Sequence, residues 1–524
     1  MDEFINRQLE ILYSSMSESE ARLHPPAKIK SQIQTIINGF KPINLIRPCR
    51  IGDGIIKIDE TKEKHLTDLF KKACLSGRFT KFVPASGAAT RMFSKLQATI
   101  NKFSDFSLED LKNYSEEDKN AEATYRFLTN IEKFACYEDL KILLGQDLLN
   151  LVKINPGKII EKLLSPVGLN YSSKPKALLK FHKYKNESRT AFSEHLIESY
   201  YYQKDFQNKV RIHFTISEEH ENLFKEEFNR FLTNNYFSDA EFQIDFSFQN
   251  KSTDSVTLNA NNEIYLDENL HPLFRPAGHG ALLENLNDLK ADVIFIKNID
   301  NVCVDRLKPI TIKYKKILAG FLILIQKQIF EYLNLLEQEK IPDNKIDEMI
   351  KFCEAFLNLP KPDGFVNWEN KKKRNFLFAK LNRPIRVCGV VKNEGQPGGA
   401  PFWVKNEDGE LSTQIVEGAQ IDFNNEEQKL IFNNSTHFNP VDLVCGVRNY
   451  KGDNFNLNNY SDPMAAIIVR KFVNGFEIKS LELPGLWNGG MSNWISVFVE
   501  VPIETFNPVK ELTDLLNPGH IEEE

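Results

Sequence analysis

The 524-residue sequence has no cysteine pair spaced as CxxC, and its seven cysteines, Cys49, Cys74, Cys136, Cys303, Cys353, Cys388 and Cys445, are scattered singly. Such spacing argues against a zinc framework or a disulfide scaffold and for reduced thiols in a large intracellular protein. No window approaches the roughly 18 apolar residues that a membrane span requires, and the opening MDEFINRQLEILYSS carries early acids where a signal peptide has an apolar run. The expected location is the cytoplasm, with no membrane partner. A charge excess of one sign is also missing. Lys and Arg total 66 against 72 Asp and Glu, a formal net charge of -6, which excludes general electrostatic attraction to nucleic acid or anionic lipid. Any phosphate site must be local. There is no internal repeat, no low-complexity tract, no Walker A Gly-Lys-Ser/Thr, no GxGxxG and no GxSxG elbow.

What remains is a globular composition, 41% apolar and 26% charged with 25 Gly and 23 Pro. Residues 1–78 read as a helical extension, with Phe4, Ile5, Leu9, Ile11 and Leu12 at helical spacing and HPP at 24–26 as an interruption. FTKFV at 79–83 reads as a strand, PASGAAT as a tight turn and RMFSKLQATINKF as a helix. Residues 97–165, rich in Leu, Lys, Glu and Asn with apolar positions three and four apart, predict a helical insertion ending at Pro166. VRIHFTIS at 210–217, FQIDFSFQ at 242–249 and VIFIKNID at 293–300 then alternate with the helical EEHENLFKEEFNRFL and GALLENLNDL. That order predicts a mostly parallel sheet with crossover helices. A second helical block spans about 306–380, broken by KIPDN at 340–344. Short β-like runs separated by Gly, Asn and Asp clusters fill 384–505, and the EEE at 522–524 is expected to fray. The expected domains are an N-terminal helical extension at 1–78, an α/β domain at 79–383 carrying both insertions, and a β-rich region at 384–524 that completes a cleft.

Four motifs carry candidate chemistry. In Pro84–Met92 (PASGAATRM) small residues between strand and helix let backbone amides approach an anion, and Arg91 adds fixed positive charge. Taken alone, a tight turn with a surface arginine explains it equally well. In Lys174–Phe181 (KPKALLKF) Pro175 fixes the backbone ahead of Lys176, whose ammonium suits a phosphate, although isolated lysine clusters are commonly solvated. Arg275–Leu282 (RPAGHGAL) flanks His279 with two glycines just before a helix, a geometry equally suited to a helix cap. Asp300 in IKNIDNV follows a buried strand, where open α/β sheets place ligands, and a carboxylate there suits Mg²⁺ bridging phosphates or a capped turn.

In chain order, PASGAATRM at 84–92, PKALLKF at 175–181, PAGHGALLENL at 276–286 with FIKNIDNV at 295–302, and FNPVKELTDLL at 506–516 resemble the landmarks of the UDP-sugar pyrophosphorylases. The whole chain, particularly 79–92, 275–305, 384–450 and 484–516, also resembles the bacterial domain-of-unknown-function 4301 family, a remote relative of these enzymes. The resemblance implies a nucleotide-diphospho-sugar transferase-like (Rossmann-like) α/β fold with a mixed, mainly parallel sheet, helical insertions and a C-terminal β-rich region. It further implies that Ala85, Ser86, Gly87 and Ala88 cradle nucleotide phosphates, that Arg91 stabilises the leaving pyrophosphate, and that Lys176 and Lys510 contact the phosphates. Gly278, His279 and Gly280 would line the nucleotide pocket, Asp300 would bind Mg²⁺, and Asn439 in HFNP would lie near the sugar. The partners implied are a nucleoside triphosphate and a sugar phosphate or nucleotide sugar. The implied reaction is nucleotidyl transfer from the triphosphate to a sugar 1-phosphate with release of pyrophosphate, which needs positioning and charge neutralisation and no protein nucleophile.

Three features depart from that pattern. Ser86 stands at a glycine-like position and Ala88-Ala89 lengthens the loop. Roughly eighty residues separate Met92 from Pro175, far beyond an ordinary connection. A second metal carboxylate is missing from the motifs, with Glu417, Asp422 and Asp442 as candidates. The Gly/Pro-dense Lys392–Pro401 reads as a lid, a sugar loop or a long hairpin connection, and Trp487 and Trp494 as stacking platforms or core. The rival readings are a non-catalytic nucleotide or nucleotide-sugar binding protein, and a scaffold whose helical blocks bind partners.

Overall fold

A computed structural model describes residues 1–103, 105–145, 147–338, 341–395, 398–406, 409–473 and 475–522. Lys340 of the predicted KIPDN break, Gln396 and Pro397 of the Gly/Pro-dense loop, and Glu523 and Glu524 of the acidic tail lie outside the described residues. The chain forms two units: Met1–Phe70, Gln249–Ile296 and Leu318–Val501 make the first, and Lys71–Phe248, Lys297–Ile317 and Pro502–Glu524 the second. The architecture is mixed α/β, with a large, mostly parallel sheet and smaller antiparallel ones. No helix among the described residues is long and apolar enough to cross a membrane. All seven cysteines are buried and free.

In the second unit the strands Phe79–Pro84, Lys209–Ile216 and Glu241–Phe248 pair in parallel, from Lys81 against Ile212 and Lys209 against Glu241. Parallel strands need crossovers, which the helices Ala191–Gln203 and Glu221–Thr233 supply. The predicted insertion consists of short helices from Ser94–Lys102 to Pro156–Leu164. Their apolar faces, including Leu96, Phe127, Leu140, Ile160 and Leu163, join one core with Val83, Phe181, Phe192 and Phe214. The roughly eighty-residue gap is therefore filled by an element that shares the core of the unit.

In the first unit Ile385–Lys392 runs parallel to Ile495–Glu500, which runs parallel to Gly54–Ile56, and antiparallel to Asp442–Gly446. A second, antiparallel sheet is ordered Phe274–Arg275, Ser255–Asn259, Phe476–Glu482 and Ile467–Val473. Helices Asp2–Ser14 and Pro26–Asn38 cover it by burying Ile5, Leu12, Ile29 and Ile33 against Val256, Leu258 and Leu481. Residues 1–78 are not wholly helical: Leu45–Pro48, Arg50–Ile51 and Gly54–Ile56 are strands. Runs of two to four residues carry too little periodicity to announce themselves. The strands on either side of the Gly/Pro-dense run, Ile385–Lys392 and Ala400–Lys405, belong to two different sheets.

Candidate polyphosphate site

The loop after Phe79–Pro84 begins as a continuation of the strand. Ala85 N donates to Thr215 O at 2.8 Å, and Ser217 Oγ donates to Ser86 O at 3.3 Å, so the parallel partner holds the first two loop residues. Gly87 and Ala88 are exposed, Ala89 is buried, and a 3-10 turn Thr90–Phe93 leads into the helix Ser94–Lys102. A Cβ added to Gly87 would meet no atom within 4 Å, and its φ is not in the left-handed region. Neither strain nor internal packing asks for glycine here. Arg91 is exposed and forms no ion pair with a described residue.

Folding brings the other candidates of this unit to that loop. Pro175 bridges to Ala88, and Lys176 N donates to Gly87 O at 3.1 Å. The side chain of Lys176 then reaches Asp300, Nζ to Oδ2 at 2.8 Å, with the two side chains 16% and 20% exposed, so the pair is open to solvent on one side. Val509 N donates to Asp300 O at 3.2 Å, Asn301 bridges to Pro508, and Asn507 N donates to Asn301 Oδ1 at 2.8 Å. That pairing sets Lys510 one residue beyond the Asp300 contact. Lys510 N and Glu511 N both donate to Asp514 Oδ2, which caps the turn Leu512–Leu516. Glu511 in turn pairs with Lys95, at 2.6 Å, on the helix that follows Arg91. A closed ring of contacts thus runs from the loop through Lys176, Asp300, Val509 and Glu511 to Lys95 and back to the loop.

The ring lies where parallel strands end, the region that open α/β sheets use for ligands. Asp300 Oδ1 has no hydrogen-bond partner among the described residues, while Oδ2 is taken by Lys176. No group of three His, Cys, Asp or Glu able to hold a metal exists among the described residues. The single free oxygen of Asp300 suits a cation held chiefly by phosphate oxygens and water, as Mg²⁺ often is. Glu417, Asp422 and Asp442 belong to the first unit.

The first unit gives its own account of the remaining candidates. Gly280 is required by packing, because a Cβ there would sit 2.2 Å from Pro484 O, and Gly278 has φ +73. His279 accepts from Leu486 N at Nδ1, 3.0 Å, and stacks on Trp487 with centroids 4.1 Å apart. Burial pushes the imidazole below the ordinary histidine range, with Glu417 opposing. Asn439 is buried, its Nδ2 donating to Gly389 O and its Oδ1 accepting from Val441 N. These side chains hold their own unit together. Trp494 is buried, whereas Trp487 is the partner of His279, a pairing that spacing alone does not reveal.

The motifs also passed over a buried ionic cluster in the second unit. Glu198 accepts from Lys297 at 2.6 Å, from Lys81 at 3.5 Å and from Tyr202 Oη at 3.1 Å, all fully buried, and His195 Nε2 lies 3.2 Å from Ile299 O beside Asp300. Burial pushes Lys81 down to about 7, against the pull of Glu198. Burial alone would raise the Glu198 carboxyl, but Lys297, Lys81 and Lys315 outweigh it and hold it well below the ordinary range. A lysine inside each of two apolar strand runs, FTKFV and VIFIK, is the sequence signal, because a buried ammonium demands a buried acid.

Glu194, equally buried, is held low in the same way: burial raises it, and Lys308, His182 and Arg189 outweigh that. A carboxylate whose folded pKa is depressed contributes stability that is present above its unfolded value near 4.3 and is lost as pH falls through the folded value. Thermal melts are therefore expected to stay level from about pH 7 to about pH 5 with respect to these two groups and to fall steeply below about pH 4. A melting temperature unchanged down to about pH 3 would show that neither carboxylate is held charged in this way.

The fold and the ring together define a mixed α/β protein with a cationic, acid-bearing loop cluster at the ends of parallel strands. Over residues 14–521 the chain matches the family described as "Domain of unknown function (DUF4301)", and it belongs to that family. No curated protein matches it. Among solved structures it is similar to the uridine diphosphate N-acetylglucosamine pyrophosphorylase from Trypanosoma brucei, at 11% identity, covering 98% of this chain and 81% of that one, with a TM-score of 0.46. It is also similar to a UDP-glucose phosphorylase from Trypanosoma brucei, at 13% identity, with 98% and 78% covered and a TM-score of 0.45. A third is a UDP-N-acetylglucosamine pyrophosphorylase from Entamoeba histolytica, assigned as such provisionally, at 12% identity, with 86% and 82% covered and a TM-score of 0.42.

Proposed function

We propose that this protein transfers a nucleotidyl group from a nucleoside triphosphate to a sugar 1-phosphate and releases pyrophosphate, with the phosphates held by the second unit. The observation that carries this reading is the ring of contacts, which ties the Ala85–Ala88 loop, Lys176, Asp300 and Lys510 into one locality although they are widely separated in the chain. In the proposed reaction an oxygen of the sugar phosphate attacks the α-phosphorus, the α–β bridging P–O bond breaks, and its electron pair leaves with pyrophosphate. Charge accumulates on phosphate oxygens in the transition state, so fixed cations lower its energy without any protein nucleophile. Loop amides at Gly87 and Ala88 would receive phosphate oxygens, Lys176 and Lys510 would contact the reacting phosphates, and Arg91 would neutralise the leaving group. Mg²⁺, when bound, would be held by Asp300 with phosphate and water and would supply further charge neutralisation.

The test is calorimetric titration of UTP and UDP-sugars with Mg²⁺ alongside a pyrophosphate-release assay with UTP and sugar 1-phosphates. The proposal expects both binding and release. Binding without release would favour a nucleotide-sugar binding protein, and absence of both would defeat the proposal.

A further inference from the structure

The segment that carries Lys510 has little regular structure of its own. From Pro502 to Glu522 it contains only the 3-10 turns Ile503–Thr505 and Leu512–Leu516, so contacts to the rest of the second unit must hold it. Val509, Leu512 and Leu515 enter the core. Its far end is tied down separately. Val304 N donates to Gly519 O at 3.0 Å, and Arg306 Nη2 donates to Pro518 O at 2.6 Å. His520 is buried, and its Nδ1 lies 2.9 Å from His182 Nε2, while His182 Nδ1 lies 2.7 Å from Glu194 Oε1.

Glu194 is itself locked by Lys308 at 2.7 Å and Tyr184 Oη at 2.8 Å. Two imidazoles and a carboxylate in a row, all buried, cost desolvation that only a specific geometry repays. The far end also touches the Lys510 turn. A Cβ on Gly519 would fall 2.1 Å from Asn507 Oδ1, so Gly519 packs directly against the Asn507 side chain, and Asn507 N is bonded to Asn301 beside Asp300.

We propose that His520, clamped by the buried Glu194–His182 pair, is a positioning residue that latches the 502–522 segment and so sets Lys510 next to Asp300. The inference rests on the reading above in giving Lys510 a phosphate to meet. The latch itself does not depend on that reading, and the two can fail separately.

The test uses the full chain with His520→Ala, His520→Gln, Lys510→Ala and the double variant His520→Ala/Lys510→Ala. Hydrogen exchange and calorimetry with magnesium pyrophosphate are the readouts. In His520→Ala, amide exchange over 505–511 is expected to speed up about tenfold or more while exchange in the Lys209–Ile216 strand stays unchanged, since loss of a local anchor opens a local unit. Pyrophosphate affinity is expected to fall about as far as in Lys510→Ala, and the double variant to be no worse than Lys510→Ala, because residues acting through one another are not additive.

His520→Gln, whose amide can still meet His182, is expected to recover most of both losses, and it serves for both readouts if the alanine variant does not fold. Unchanged exchange over 505–511, or affinity losses that multiply in the double variant, would overturn the latch. If the wild-type chain binds no pyrophosphate, the functional reading falls, and the exchange comparison still decides the latch.

Discussion

Lys176→Ala is expected to lower pyrophosphate release about a hundredfold while changing unfolding free energy by less than about 1 kcal/mol. The asymmetry follows from where the lysine sits. Its Nζ meets Asp300 at 2.8 Å in a pair open to solvent on one side, so water can take the place of the ammonium at Asp300 when the side chain is cut back. On the proposed function a bound polyphosphate would keep water out, and a fixed cation aimed at developing charge would then act in a site of much lower polarisability. Asp300→Ala is expected to match it in turnover, with magnesium dependence weakened. The measurement is initial-rate pyrophosphate release, with melting temperature as the control for folding. Turnover within about threefold of wild type in both variants would remove the lysine and the acid from the reaction.

Glu198→Gln is expected to destabilise the protein by about 3–5 kcal/mol, a fall of about 10 °C in melting temperature, because it leaves buried ammonium groups facing a neutral amide. Lys297 and Lys81 both meet this one carboxylate, and neither reaches water. Lys81→Met is expected to behave in the opposite way, neutral or stabilising, since Glu198 keeps the closer Lys297 while one buried charge is removed. Burial already pushes Lys81 down to about 7, so its ammonium is held at a cost near neutral pH. Differential scanning of the two variants decides the matter: equal losses in both would mean that shape, and not charge pairing, sets the stability of this cluster. His195 Nε2 donates to Ile299 O, so the cluster also buttresses the turn that carries Asp300.

Much of the second unit is legible residue by residue. FTKFV, VRIHFTIS and FQIDFSFQ alternate or run apolar over strand length and fold as Phe79–Pro84, Lys209–Ile216 and Glu241–Phe248, within a residue or two of the expected bounds. The 97–165 stretch is helical because its apolar residues recur every three or four positions and its helices are punctuated by caps such as Ser107 and Asp118. Strands Leu45–Pro48 and Gly54–Ile56 were illegible because a run of three or four residues fits any period. His279 shows the other limit: a glycine-flanked histidine before a helix reads equally as a ligand contact or a cap, and the partners of its Nδ1 and ring face, Leu486 and Trp487, lie some two hundred residues later in the chain.

The amino-acid order by itself determined the strand, loop and helix around Ala85–Arg91, the helical insertion, the mostly parallel α/β character and the shortlist of cations and acid, because these depend on side-chain period, small residues and charge at short range. Tertiary structure alone decided that Lys176 meets Asp300, that Val509 lies on Asp300, that Glu511 returns to Lys95, and that one glutamate serves two buried lysines. Those partners lie about a hundred or more residues apart, and their meeting is set by how the insertion and the 502–522 segment pack on a shared core, a property of summed apolar burial that no local pattern records.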